Sequence, residues 1–192
     1  MKLLIGLGND EARYNGTRHN IGFACVEEFA RDKSVPFQFK DKFKASIAEV
    51  SSHGEKVLLI KPATFYNESG QSYRALVDFY KLDDSDVLVI HDDIALPFGT
   101  VRTRVGGSDA GNNGIKSVNA HGGTNTMRMR IGIHTNHRTL VGDTDFVLGR
   151  FSQVENTVIT KHLLPRILSS IDSFLSEDLE PTSFSIVREE SE

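Results

Sequence analysis

Strand-like and helix-like segments alternate along most of this 192-residue chain, and no other feature restricts its fold as much. A chain patterned this way buries its apolar faces most simply as an α/β architecture, with helices covering a sheet. The run from Lys2 to Leu7 predicts a buried first strand, and a helix is expected from about Asn20 with Ile21, Val26, Phe29 and Ala30 as its apolar positions. Strands are expected near Ala45 to Val50 and Val57 to Lys61. Pro62 opens a loop ending at Ser69, read as a helix N-cap, and Tyr73, Leu76, Val77 and Tyr80 supply the apolar face of the helix behind it. Val87 to His91 reads as a short β-branched strand. Beyond the Leu96-Pro97-Phe98-Gly99 turn come a strand ending in Arg104, a glycine-rich loop, a helix near Gly114 to Asn119 and a strand near Met129 to Ile133. Val154 to Leu175 is a long helical stretch that Pro165 should kink or divide, since proline lacks the amide hydrogen and crowds the preceding turn. The tail from Glu177 is acidic and expected to be loosely held.

With 39% hydrophobic and 25% charged residues, the chain suits one compact domain over 1–192. Its net charge of -4 gives no overall attraction to nucleic acid, so any RNA-binding surface has to be local. The single cysteine, Cys25, excludes an internal disulfide and a four-thiolate zinc site within one chain, and is expected in the core. The apolar start stops at Gly8 and is followed by Asn9, Asp10 and Glu11, unlike a signal peptide, and no window approaches a membrane span. A cytoplasmic address is the expectation.

Residues that carry chemistry gather in loops at strand ends, where open α/β sheets place ligands. Gly6-Leu7-Gly8-Asn9 begins like a dinucleotide fingerprint, but Glu11 stands where a third glycine belongs. Tyr14 and Thr17-Arg18-His19-Asn20 follow in the same loop. Further on come Pro62 to Gly70, His91-Asp92-Asp93 with Leu96-Pro97, and Gly106 to Gly114. Taken singly, each has a bland reading: a lone histidine is more often a surface or core group, and loop asparagines usually serve turns. Together, a histidine near the first strand, a carboxylate at the end of a later one and several loop asparagines are the parts of a hydrolytic site. The histidine would take a proton from water, the carboxylate would hold its useful tautomer, and neutral amides would position substrate without a competing charge. A competing reading, a metal-dependent hydrolase built on His134 and His137, lacks the helical HExxH pattern.

Gly-Leu-Gly-Asn at 6–9, Tyr14, Thr-Arg-His-Asn at 17–20, Thr-Phe-x-Asn-x-Ser-Gly at 64–70, His-Asp-Asp at 91–93 with Leu96-Pro97, Asn-Gly at 113–114, Arg-Ile-Gly-Ile at 130–133 and Phe-Val-Leu-Gly at 146–149 occur in this order. In these motifs the chain resembles the bacterial-type peptidyl-tRNA hydrolases from Lys2 to about Arg150, and beyond Gly149 the likeness is loose. The resemblance implies a single mixed, twisted β-sheet flanked by helices, acting as a monomer without a metal or other cofactor. It implies cleavage of the ester joining a peptide to tRNA, with His19 as base and Asp92 as its orienting partner. Asn9 and Asn67 would hold the peptide and the attacking water, Asn113 would contact substrate near the ester, and Tyr14 would lie beside the terminal nucleotide or its attached aminoacyl group. Tyr66 falls within the same substrate-binding stretch.

The local charge pattern suits an RNA substrate. From Phe98 to Arg138 the chain carries Arg102, Arg104, Lys116, Arg128, Arg130 and Arg138 against only Asp109, and acidic residues predominate from Asp172. Arg102, Arg104, Arg128 and Arg130 are therefore candidate phosphate contacts, which supply affinity without reading sequence. Lys40, Lys42 and Lys44 offer a second basic edge. The chain also departs from the family pattern: Asp10-Glu11 replace the usual Pro-Gly, Asp109-Ala110 lie in the glycine-rich loop, Tyr66 stands where methionine is usual, and Asn112 stands where histidine is usual. These departures leave a second reading open, an RNA-binding protein on the same fold that does not cleave.

Overall fold

The computed structural model describes residues 1–186. In chain order the elements are β1 (Lys2–Gly6), α1 (Ile21–Asp32), β2 (Gln38–Lys40), β3 (Ala45–Ser52), β4 (Glu55–Pro62), α2 (Ser69–Tyr80), β5 (Val87–Pro97), β6 (Thr100–Val105), α3 (Asn113–Ala120), β7 (Met127–His134), α4 (Arg138–Val141), α5 (Asp143–Leu148), α6 (Gln153–Val158), α7 (Leu164–Leu175) and β8 (Ser183–Ser185). The strands form one sheet in the order β2-β3-β4-β1-β5-β7-β6-β8. β4, β1, β5 and β7 run parallel at its centre, while β2, β3, β6 and β8 are antiparallel to their neighbours. The expected mixed sheet flanked by helices is thus the fold observed.

The central strands are apolar on both faces because helices cover both. Leu4, Leu59, Leu88 and Ile90 point to a core shared with α1 and α7, while Leu3, Ile5, Leu58, Ile60, Val87 and Val89 point to a second core with α2 and α3. Alternation of side chains along each strand sends every second residue to the other layer, so an almost continuous apolar run is what such a strand requires. Each fully buried Leu or Ile contributes about 1.5–3 kcal/mol. Cys25 lies in the first core, and burial pushes its thiol pKa up, as befits an inert core residue.

Two glycines set how closely α1 approaches the sheet. A Cβ on Gly6 would lie 2.2 Å from the Gly22 carbonyl oxygen, and one on Gly22 would lie 2.4 Å from the Ile90 carbonyl oxygen. Backbone therefore meets backbone, and the start of α1 sits directly on the ends of β1 and β5. That close seat puts the residues just before α1 over the C-terminal edge of the parallel strands.

Several sequence expectations need correction. β5 runs to Pro97, so Asp92, Asp93 and Leu96 lie within a strand and the turn is confined to Phe98-Gly99. Ser69 is the first residue of α2, preceded by Glu68 as N-cap, and its hydroxyl donates to the Tyr66 carbonyl. The long helical stretch is divided, one of the two outcomes expected of Pro165: α6 ends at Val158, Ile159–Leu163 form a π-helical turn, and α7 begins at Leu164 with Pro165 in its first turn. A wider turn ahead of a residue that cannot donate is a usual way to keep the chain helical. The acidic tail is held better than expected, since β8 pairs with β6 and the Ile186 amide donates to the Gly99 carbonyl. The part of that tail beyond 186 lies outside the described residues. Among the described residues no helix is long and apolar enough to cross a membrane.

Candidate active site

His19 lies in the short 3-10 turn Arg18–Asn20 that leads into α1, and Asp92 lies in β5 beneath it. His19 Nδ1 is 3.0 Å from both Asp92 carboxylate oxygens. Opposite an ionised carboxylate, Nδ1 carries the proton, which leaves Nε2 with the lone pair needed by a base. Burial alone would raise the Asp92 carboxyl, but interaction with His19, the Tyr66 hydroxyl and His91 outweighs it and holds the group below its ordinary value of 3.8. The adjacent His91 is driven the other way: burial lowers it from 6.5 to about 4, so it is a neutral core imidazole. His91 Nδ1 is 2.7 Å from the Asp92 carbonyl oxygen.

The turn that carries His19 is locked from two sides. Arg18 is buried; its Nη1 donates to the Arg150 carbonyl at 2.7 Å, and its Nη2 reaches both Glu155 oxygens at 2.9 Å. The same guanidinium lies 4.5 Å from the centroid of the Phe146 ring. On the other side, Asn20 Oδ1 accepts from the Asn9 amide and Asn20 Nδ2 donates to the Asn9 carbonyl, both at 2.9 Å. Asn9 Oδ1 then accepts from the Tyr66 amide at 3.0 Å, which ties together the loops after β1 and β4. The chain thus spends two residues of the Thr-Arg-His-Asn motif on bracing the third. Sequence reasoning gave Arg18 and Asn20 no role, and their place beside His19 was the available signal.

A cleft of about 390 Å³ opens at His19 and Asp92, lined also by Asp93, Asn112, Asn113 and Val147. A larger cleft of about 520 Å³ lies behind the Asn9 to Asn20 loop, against α1 and the π-helical turn. The smaller one is the candidate site, because it alone of the two holds the histidine and the carboxylate in contact. Of the other sequence-predicted residues, Asn113 opens α3 and lines this cleft. Asn9 instead borders the larger cleft and a neighbouring one of about 360 Å³ beside Phe65 and Glu68. Tyr14 ends the turn Ala12–Tyr14, half-buried, with the Arg13 guanidinium 4.7 Å from its ring centroid, and Asn67 is exposed in the turn Tyr66–Glu68. Neither lines the His19 cleft.

Two of the expected contacts are corrected by burial. Tyr66 is 4% exposed, its hydroxyl donates to Asp92 Oδ1 at 2.6 Å and its ring stacks on His19, so it packs into the His19–Asp92 pair and presents no open substrate surface. Arg128 is fully buried: it donates to the Gly107 carbonyl at 2.8 Å, to Asn119 Oδ1 and to the Thr124 carbonyl, holding the glycine-rich loop from beneath instead of meeting phosphate. Arg130 Nε donates to Asp93 Oδ2 at 2.7 Å, while Arg104 is half-buried with Nη2 donating to the Ser108 carbonyl at 3.0 Å. Arg102 is exposed opposite Arg130 across β6 and β7. Asn112 caps α3, its Oδ1 accepting from the Ile115 amide at 3.0 Å. His134 and His137 gather no third donor, for among the described residues no group of three or more His, Cys, Asp or Glu is placed to hold a metal ion.

An imidazole oriented by a buried carboxylate, at the C-terminal edge of parallel strands and beside the cleft-lining amides of Asn112 and Asn113, is the equipment of a general-base hydrolase on an α/β fold. The family model described as peptidyl-tRNA hydrolase matches residues 3–191. The chain is 40% identical over 179 residues to a peptidyl-tRNA hydrolase of Ligilactobacillus salivarius, covering 93% of this chain and 95% of the relative. It is 46% identical over 162 residues to one of Chlorobaculum parvum, covering 84% and 85%. A crystal structure of peptidyl-tRNA hydrolase from Acinetobacter baumannii superposes with a TM-score of 0.83 at 30% identity, covering 92% of this chain and 89% of that one. The chain belongs to the peptidyl-tRNA hydrolase family.

Proposed function

We propose that this protein hydrolyses the ester bond between a peptide, or an N-blocked aminoacyl group, and the terminal ribose of tRNA, with His19 as general base. The observation that carries the reading is the His19–Asp92 pair, whose imidazole Nδ1 meets both carboxylate oxygens at 3.0 Å at the mouth of a cleft. Water gives a proton to His19 Nε2 as its oxygen adds to the ester carbonyl carbon. Asp92 stabilises the imidazolium that forms without itself taking the proton. Collapse of the tetrahedral intermediate breaks the bond to the ribose oxygen, which leaves with the proton returned by His19. The products are a peptide acid and a tRNA with a free terminal hydroxyl.

Asn113 faces the cleft and would hold substrate near the ester, while Asn9 and Asn67 would hold the peptide and the attacking water. Tyr14 would meet the terminal nucleotide or its attached aminoacyl group. Arg102 and the outer part of Arg104 are the candidate phosphate contacts that keep an accessible guanidinium, with Arg130 contributing beyond its pairing to Asp93. The reading takes residues 1–192 as one domain, active as a monomer in the cytoplasm with peptidyl-tRNA as its partner and no cofactor. The alternative of a non-cleaving RNA binder is disfavoured because both members of the pair and their bracing residues are intact.

The test is turnover of a peptidyl-tRNA by the wild type and by His19→Ala and Asp92→Asn. His19→Ala is expected to be slower by roughly 10²- to 10⁴-fold, the usual worth of general acid-base catalysis. Asp92→Asn slows it too, because the amide favours the wrong tautomer. Near-normal turnover by a folded His19→Ala variant would remove His19 from the mechanism.

A further inference from the structure

Tyr66 makes three contacts that converge on the His19–Asp92 pair. Its ring lies parallel to the His19 imidazole, with centroids 3.5 Å and planes 16° apart. Its hydroxyl donates to Asp92 Oδ1 at 2.6 Å, one of the two oxygens that face His19 Nδ1. The same hydroxyl accepts from Asn112 Nδ2 at 2.9 Å. Asn112 is itself immobilised, since Oδ1 caps α3 and Nδ2 also reaches the Asp92 carbonyl at 3.2 Å. Gly114 lets the first turn of α3 close on the ring, for a Cβ there would lie 2.6 Å from Tyr66 Cε1.

This arrangement has a direction. A phenol has one proton, and a donor from Asn112 at its oxygen leaves that proton only the carboxylate as acceptor. Burial, with Asp92 alongside, pushes the Tyr66 pKa well above its ordinary value of 10, so it remains a donor throughout the working range. A short hydrogen bond to an ionised oxygen draws off part of the charge that would otherwise stabilise an imidazolium. The parallel ring fixes the imidazole plane in line with the carboxylate.

We infer that Tyr66 is a positioning residue for the hydrolysis: its ring clamps His19, and its hydroxyl, aimed by Asn112, shares Asp92 with the imidazole so that the neutral base is available at lower pH. The inference rests on the reading of His19 as the base. The other charged or titratable groups around the pair are His91 and Asp93 on β5, the latter paired with Arg130 of β7, Asp109 in the glycine-rich loop, and Arg138 with Asp143, which pair at 2.7 Å and line the cleft. All of them are retained in Tyr66→Phe, so a change in pH profile reports the missing hydroxyl.

The experiment measures kcat/KM for cleavage of N-acetyl-aminoacyl-tRNA from pH 5 to 8 in the wild type, Tyr66→Phe, Asn112→Ser and the double variant, with His19→Ala alongside. Serine can still cap α3 but cannot carry the Asn112 amide to the phenol. The acid limb of Tyr66→Phe is expected to move to higher pH by about half a unit to one unit. Asn112→Ser moves it the same way by less, and the double variant goes no further than Tyr66→Phe, because the amide acts through the hydroxyl. NMR titration of the His19 ring signals is expected to show the same upward displacement in both single variants without reference to turnover. If Tyr66→Phe folds poorly, the Asn112→Ser profile and titration decide the matter. Profiles and titrations that superimpose on the wild type, or shifts that add in the double variant, overturn the inference. The two readings fail separately: an active His19→Ala variant defeats the assignment of the base, whereas an inactive one together with an unmoved acid limb defeats only the role of Tyr66.

Discussion

Replacing Arg18 by Met separates what holds the His19 turn from what performs chemistry. Methionine keeps much of the stem volume but removes the donors to Arg150 and Glu155 and the cation over Phe146 and Phe151. Breaking a buried ion pair costs about 3–5 kcal/mol, chiefly because the abandoned charge stays buried. The Glu155 side chain is 13% exposed and keeps the Ser152 amide as a donor at 2.6 Å, which places the loss at the low end of that range. For a domain of this size each kcal/mol lowers the melting temperature by about 2–4 °C, so a fall of roughly 6–12 °C is expected. Thermal unfolding followed by circular dichroism measures it. Adding Glu155→Gln removes the stranded charge while retaining an acceptor for Ser152, and should recover at least about 1 kcal/mol relative to Arg18→Met alone. A fall below about 2 °C, or no recovery in the double variant, would refute the argument that this pair braces the site.

Three further outcomes follow from the same geometry. Arg102→Ala should weaken tRNA binding and reduce its logarithmic salt slope by roughly one, as measured by filter binding at several salt concentrations. Arg128→Ala should instead act on folding: removing the support of the glycine-rich loop lowers the urea midpoint, and equal behaviour of the two variants would contradict the separation drawn between exposed and buried arginines. Stability should also fall on acidification because of His91, whose folded pKa of about 4 lies below the ordinary 6.5, so the unfolded chain takes up the proton first. That contribution is complete above pH 6.5 and is lost as pH falls toward 4, to a limit of roughly 3 kcal/mol. Asp92, held below 3.8, adds its own loss only at still lower pH. Urea unfolding of the wild type and His91→Gln across this range checks the assignment, and an unchanged slope in the variant would exclude His91.

The central strands were legible because helices on both faces demand apolar residues at every position, a signal that survives without knowledge of the partners. β2 and β8 were not, since three-residue strands such as Gln38–Lys40 and Ser183–Ser185 show no period and exist only through a neighbour already in place. His19 and Asp92 were legible as a pair of residue types at strand ends, and the family resemblance assigned their roles. The misreading of Tyr66 and Arg128 has one physical origin: sequence gives a side chain's charge and polarity but not its burial. A tyrosine next to an exposed loop asparagine reads as a surface contact until its hydroxyl is seen on a carboxylate 26 residues away. An arginine in a basic run reads as a phosphate ligand until Gly107 and Thr124 close over it. Asn112 stands at a position where the family usually has histidine. Its observed partners, Ile115 and Tyr66, make it a helix cap that aims a phenol.

The central claim is that this cleft cleaves the ester of a tRNA whose aminoacyl nitrogen is already acylated. The most direct measurement compares release of tRNA from N-acetyl-aminoacyl-tRNA with release from the same aminoacyl-tRNA left unblocked, using the wild-type protein under identical conditions. Faster cleavage of the blocked ester, lost in His19→Ala, is the result expected. Equal cleavage of both esters, or binding of the blocked one without release of tRNA, would contradict the account.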